Sequence, residues 1–340
     1  MTDPARVPCR LMSARTRVLT IAGLASVLAV AAIVGVTLLQ SRGSTDGTSG
    51  AGSVTKPRAG APPLLLDLGV RDDPEARALN AAAALYRKGR REQAGRIFAR
   101  YRSLSAQIGA AFAAWPDGGL DTLKQLVAAH PRSALAELHL GWAYYWSGRN
   151  ADAARAWQQA VKIEPDSSSA VSASDLLHPS FPVPGLPYIV TTLQPRKGVA
   201  SLPAAQELRA LQRAAARPDA NAKVLYGIAL WNLRRPISAE REFRAAVALA
   251  PKDPMALTAA AVGSFSKARP VLAFSQLGPL TGAFPRAGVV RFHLGVLLLW
   301  SNELAKARKQ LGLAVSLDPG SPYAAQAKRL LAALGHTGTK

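Results

Sequence analysis

Residues 134–167 read ALAELHLGWAYYWSGRNADAARAWQQAVKIEPDS, and this stretch decides the fold. It is one complete helix–turn–helix of 34 residues. Gly141 lets two helices approach closely, and Ala153 is small for the same reason. Trp157 fills the wedge between the pair, and Pro165 stops the second helix and opens the next unit. The same grammar returns further on in 34-residue register. Residues 220–253 carry Gly227, Ala239, Phe243, Ala246 and Pro251; residues 254–287 carry Ala261, Ala273, Leu277, Leu280 and Pro285. Residues 288–321 carry Leu294-Gly295, Ala307, Leu311, Ala314 and Pro319. A lone helix over 322–335, with Lys328 and Arg329, fits the polar terminal cap that a stacked array needs.

Leu140-Gly141 with Tyr144, then Ala153 with Trp157, then Pro165, follow the pattern W-x2-L-G-x2-Y, A-x3-F, P, with Glu137 in place of the first Trp. The chain thus resembles the tetratricopeptide repeat family, in its membrane-anchored bacterial form. The resemblance implies an all-α fold, a helix-pair superhelix (α-solenoid), across residues 65–335. Its motifs are sharp at 134–167 and 220–321. They are weaker at 75–104, where Asp73-Pro74-Glu75 signals a helix start and Ala94 and Phe98 stand four apart, and at 105–131. Residues 168–219 are expected to form a repeat with an extended loop, 178–203, inserted between its two helices. That loop holds six prolines, and connections of this length are usually functional or disordered.

The N-terminal stretch has a different character. Residues 1–17 hold Arg6, Arg10, Arg15 and Arg17 against Asp3 alone. Val18–Leu39 then runs without a charge, long enough to span a bilayer as a helix. A cleaved signal peptide is the competing reading, but its apolar core is shorter, and Ala29-Val30-Ala31 lies inside the run. The expectation is one uncleaved transmembrane helix with its N-terminus in the cytoplasm and the repeats outside, because the cations cluster ahead of the span. Residues 40–64 are rich in Gly, Ser, Thr and Pro and are expected to be a flexible linker.

Composition limits the function classes. The 340 residues carry 42 Lys+Arg against 21 Asp+Glu, a net charge of +21. Such a balance bears on association rather than fold. With Cys9 alone, neither an intrachain disulfide nor a cysteine metal site can form. None of His130, His139, His178, His293 and His336 falls in a His-x3-His or His-Glu-x2-His spacing, and no Gly-x-Ser-x-Gly is present. His139 and His293 share one column of two repeats, which reads as repeat equivalence. No cofactor and no enzymatic activity are expected.

By resemblance to the family, the groove of the superhelix is lined by fixed positions of each first helix. In the opening repeat these are Leu135, Leu138, Trp142, Tyr145 and Trp146; further on they include Ile228, Trp231, Phe265, Phe292 and Trp300. The face is apolar and aromatic, and it lacks the cations that grip a C-terminal carboxylate, so an apolar protein or peptide segment is the expected partner. Packing within the array is the competing role for each of these side chains. The 178–203 insert either docks a partner or lies across the groove of its own protein; the second reading is preferred.

Arg87, Lys88, Arg90, Arg91, Arg96, Arg100 and Arg102 form a basic surface on the first helix pair. This reads first as a solvated face, with contact to anionic lipid or wall polymer as the alternative. No nucleic-acid-binding signature accompanies the charge, so nucleic acid is not expected as a partner. The functional expectation is a membrane-anchored scaffold or adaptor. Assembly of c-type cytochromes or another envelope complex is one alternative, and a surface-associating structural protein is another.

Overall fold

The computed structural model describes residues 56–181 and 183–336. The basic tail 1–17, the apolar run 18–39 and the linker up to residue 55 lie outside the described residues. Among the described residues, no helix is long and apolar enough to cross a membrane.

Fifteen α-helices and one short 3-10 turn, with no strand, make up the described residues. They are α1 (Pro74–Arg87), α2 (Arg91–Phe98), α3 (Leu104–Ala113), α4 (Gly119–Ala129), α5 (Ala134–Trp146), α6 (Asn150–Ile163), α7 (Ser168–Leu177), α8 (Ala204–Ala215), α9 (Ala220–Asn232), α10 (Pro236–Leu249), α11 (Pro254–Gly263), α12 (Val271–Ala283), α13 (Gly288–Trp300), α14 (Leu304–Leu317) and α15 (Pro322–His336).

Local sequence explains where the first helices begin in every pair but the last, where Ala287 offers no side-chain cap. Asp73, Ser103, Ser133, Ser167, Asp219 and Asp253 each stand one residue ahead of a first helix. Each side chain accepts a hydrogen bond from the backbone N–H three residues on, which satisfies one of the donors left open at a helix start. The turn inside the pair is equally regular. Gly89 and Gly148 both adopt φ 77, and the residues in the same column of later repeats, Arg234 and Asn302, adopt φ 56 and 59. Glycine takes this left-handed geometry without strain and asparagine tolerates it, whereas Arg234 adopts it at a steric cost.

Two columns build the core. Ala94, Ala153, Ala239, Ala273 and Ala307 are fully buried, and four residues further on stand Phe98, Trp157, Phe243, Leu277 and Leu311, also buried. Each alanine lets the paired helices close, and the larger residue fills the space against the neighbouring unit. The fit leaves no slack: a Cβ on Gly141 would lie 2.2 Å from Trp157 Nε1.

The helices sort into two arrays. Helices α1–α6 form three pairs, with α7 packed against α5 and α6. Helices α9–α14 form three more, with α15 packed against α13 and α14. This corrects the expectation of a single repeat at 168–219. Helix α7 ends the first array as α15 ends the second, while α8 packs against α9. The cause is the proline-rich insert, which leads the chain away from α7 before a second helix can fold back on it. Asp166 is one of the residues that join the arrays. Its carboxylate accepts hydrogen bonds from Ile237 N (2.9 Å), Ser238 N (3.1 Å) and Ser238 Oγ (2.5 Å), and so caps α10 of the second array from the first.

Candidate functional site

The face on which the groove was expected is formed by α1 and α5 in the first array and by α9 and α13 in the second. It is not open. An extended stretch of the chain's own backbone lies along each of these faces, and the two stretches are bound in the same register.

In the first array the occupant is residues 58–70, the proximal strap. Composition alone assigns residues 58–64 to the flexible linker, and the structure corrects this. Arg58 N donates to Trp146 O (2.8 Å), and the Arg58 guanidinium donates to Tyr145 O (2.7 Å) while lying 3.5 Å from the centre of the Tyr145 ring. Tyr86 Oη donates to Pro62 O (2.6 Å), and Leu65 N donates to His139 Nε2 (3.2 Å). Leu64 and Leu68 are buried in the core of the first array. Three leucines at 64–66 supply the apolar surface that a Gly/Ser linker lacks, which is why this part of the low-complexity stretch folds.

In the second array the occupant is residues 183–193, the distal strap, with Phe181 ahead of it; this agrees with the preferred reading of the insert. Trp231 Nε1 donates to Pro187 O (2.5 Å), and Val190 N donates to His293 Nε2 (3.0 Å). Tyr188 packs against Phe292 and Trp300, with ring centres 6.0 and 5.8 Å apart, and Phe181 meets Phe265. Thr192 N donates to Tyr323 Oη (3.3 Å). A buried ion pair adds a clasp. Lys267 Nζ lies 2.6 Å from Asp175 Oδ1 and donates to Val183 O (2.7 Å), while Asp175 Oδ2 accepts from Gly185 N (2.8 Å).

The correspondence is close. In each strap a proline carbonyl accepts from an aromatic side chain near the end of the array's first helix, Tyr86 or Trp231. Three residues later a backbone N–H reaches a histidine on the fifth helix of its array, His139 on α5 or His293 on α13. In both histidines Nδ1 sits 2.7 Å from the carbonyl four residues back, Leu135 O or Val289 O. Since Nε2 accepts from the strap, Nδ1 carries the proton and donates. Both rings are fully buried, and burial pushes each imidazole down from its ordinary value to about 4, so both are neutral acceptors at neutral pH. Tyr86 Oη is likewise pushed up by burial, to about 12.

The residues proposed from sequence for the groove divide by array. Ile228, Trp231, Phe265, Phe292 and Trp300 are buried under the distal strap or in the packing around it. Their expected role as an open binding face is corrected to packing against the protein's own chain. In the first array Leu135 and Leu138 are buried. Trp142, Tyr145 and Trp146 are half-buried and form one aromatic cluster with Trp157, with ring centres 5.4–6.1 Å apart. Trp146 Nε1 and Trp300 Nε1, in the same column of the two arrays, are buried donors with no acceptor among the described residues.

Arg87, Lys88 and Arg90 are exposed at the turn between α1 and α2, and Arg100 and Arg102 are exposed beyond α2. Arg91 donates to Trp115 O, and Arg96 pairs with Glu92. An open cleft of about 500 Å³, lined by Phe181, Val271, Phe274, Leu298, Ser301 and Lys306, lies beside the start of the distal strap. Sequence reasoning passed over Tyr86, Lys267, Asp175 and Tyr323. The signal that could have found the straps was the repetition of Pro-x-x-apolar, Pro62 to Leu65 and Pro187 to Val190, ahead of each array.

Residues 135–167 match the tetratricopeptide repeat family model. No curated protein matches the chain. Among solved structures, similarity is found to YrrB, described as a tetratricopeptide repeat protein with an unusual peptide-binding site: 14% identity, 62% of this chain and 99% of that chain, TM-score 0.30. A tetratricopeptide repeat protein from Parabacteroides merdae shares 12% identity over 76% of this chain and 98% of that one, TM-score 0.33. The TPR2AB domain of yeast Sti1, solved with pHSP90, shares 13% over 77% and 98%, TM-score 0.29. At this distance no function passes from these proteins to this chain.

Proposed function

We propose, from the premise that this chain is built on tetratricopeptide repeats, that it is a membrane-anchored scaffold that holds an extended segment of another protein. A protein-binding scaffold follows from the repeat itself. The finer reading places the partner on the first array, at Trp142, Tyr145 and Trp146, with Leu135 and Leu138 beneath them. One observation carries it: each array already holds an extended, proline-containing segment by its backbone. A groove furnished with an aromatic donor for a carbonyl and a histidine acceptor for an N–H is chemically suited to an extended apolar peptide. Residues 18–39 supply the anchor in this reading, with residues 1–17 in the cytoplasm and the arrays outside. Holding unfolded segments during assembly of an envelope complex, including c-type cytochromes, is the role such a device fits.

The exposed Arg87, Lys88, Arg90, Arg100 and Arg102 favour a second reading, attachment of the first array to anionic lipid or wall polymer. The two readings separate by experiment. Partner capture by the full chain that falls at least tenfold in Trp142→Ala/Trp146→Ala and persists in high salt supports the groove. Capture indifferent to those changes but lost in salt overturns the groove in favour of the basic surface. A C-terminal reporter fusion that is active in the cytoplasm sinks the proposed topology.

A further inference from the structure

We propose that the proximal strap is a displaceable stand-in for the partner, and that the partner binds the first array by exchange with it. The partner is then an extended segment with a proline followed three residues later by an apolar residue that offers a free backbone N–H. This rests on the reading that the groove receives a protein segment, and it names which groove, which chemistry and what must leave.

The class of occupant comes from the two straps. Pro62-Pro63-Leu64-Leu65 and Pro187-Tyr188-Ile189-Val190 share little side-chain identity beyond the leading proline. They nonetheless bond through the same two backbone groups to equivalent side chains. The groove therefore reads an extended backbone with a proline at one end and apolar residues after it, and tolerates variation among them. A foreign segment of this pattern meets the same partners.

The choice of the first array comes from how differently the straps are secured. The distal strap is continuous with α7 on one side and leads into α8 on the other. The Lys267–Asp175 pair clasps its backbone at Val183 and Gly185, and Tyr323 of the terminal helix takes Thr192 N. The proximal strap has no such clasp. Its one charged anchor in the groove, Arg58, bonds neutral carbonyl and ring acceptors. Both arrays leave a donor unused, Trp146 Nε1 and Trp300 Nε1, so the choice between them rests on the clasp and not on these donors. A segment that brings a carbonyl to Trp146 Nε1 gains a bond that the strap does not make.

The test uses the full chain and a labelled synthetic peptide with the sequence of residues 58–70. Leu65→Pro in the chain removes the N–H that His139 accepts and weakens the strap in place. Loss of one such bond corresponds to a change of about threefold to tenfold. The expected results are saturable peptide binding, tightening of about threefold to tenfold in Leu65→Pro, and no tightening in Val190→Pro. In the unmodified chain, saturating peptide should speed tryptic cleavage after Arg58, because Arg58 leaves Tyr145 when the strap leaves. This second measurement decides the matter if Leu65→Pro does not fold. Peptide binding that neither tightens in Leu65→Pro nor exposes Arg58 overturns exchange, while loss of capture in Trp142→Ala/Trp146→Ala still supports the groove. Absence of peptide binding to a folded Leu65→Pro chain overturns exchange and the groove together. Exposure of Arg58 in step with dimer formation, without peptide, assigns the groove to a second copy and also overturns the proposal.

Discussion

Acidification from pH 7 to pH 5 should destabilise both arrays through the two buried histidines. In the unfolded chain an imidazole titrates near its ordinary 6.5, and in the folded chain burial lowers it to about 4 for His139 and for His293. Between those values the unfolded state binds more protons, so unfolding free energy rises with pH and is lost as pH falls. At pH 5 the gap of 1.5 units below 6.5 costs about 2 kcal/mol per histidine, at about 1.4 kcal/mol per unit. The two together cost about 4 kcal/mol, a large part of the ~5–15 kcal/mol typical of a folded protein. Asp73, held down to about 2 by Arg71, loses its contribution only at lower pH, between the ordinary value and about 2. Glu137, raised by burial, works in the opposite direction, because its folded form binds protons more readily. Urea unfolding of the full chain, followed by tryptophan fluorescence at pH 7 and pH 5, isolates the histidines when compared with His139→Gln/His293→Gln. Glutamine keeps an acceptor for the straps and does not titrate. The double variant should lose about 4 kcal/mol less than the parent over this interval. Equal losses in the two proteins would refute the assignment of neutral, strap-binding histidines.

Three further perturbations test the packing. Gly141→Ala places a Cβ 2.2 Å from Trp157 Nε1 and should cost about 1–3 kcal/mol or more by overpacking, measured as a lowered melting temperature. Lys267→Met leaves Asp175 of α7, only 16% exposed, without its cation; breaking a buried pair costs about 3–5 kcal/mol, and urea unfolding should show a lowered midpoint. Asp166→Ala removes the cap on α10 and should lower the melting temperature by an amount that corresponds to about 1 kcal/mol.

The helix pairs were legible because their causes are local and repeat. The caps at Ser133, Ser167, Asp219 and Asp253, the alanine column and the large residue four further on each follow from a few neighbouring residues. His139 and His293 could be aligned from spacing, but their partners could not, since Leu65 and Val190 are 74 and 103 residues away. Family resemblance grouped Trp231, Phe292 and Trp300 on one face but could not show that the distal strap lies against them. Residues 58–64 were misassigned because glycine and proline density outweighed the leucines that follow.

The sequence by itself determined an all-α array of paired helices, its register and the apolar character of its inner face, because those depend on periodicity and capping within about one turn. Only the tertiary structure decided that the array is two arrays, each closed by its own strap and joined at Asp166 and at the Lys267–Asp175 pair. Among the described residues an extended strap forms no backbone-to-backbone hydrogen bonds within itself, and it shows no period. Its position is set by donors and acceptors on distant helices, which come together only after the helices have packed.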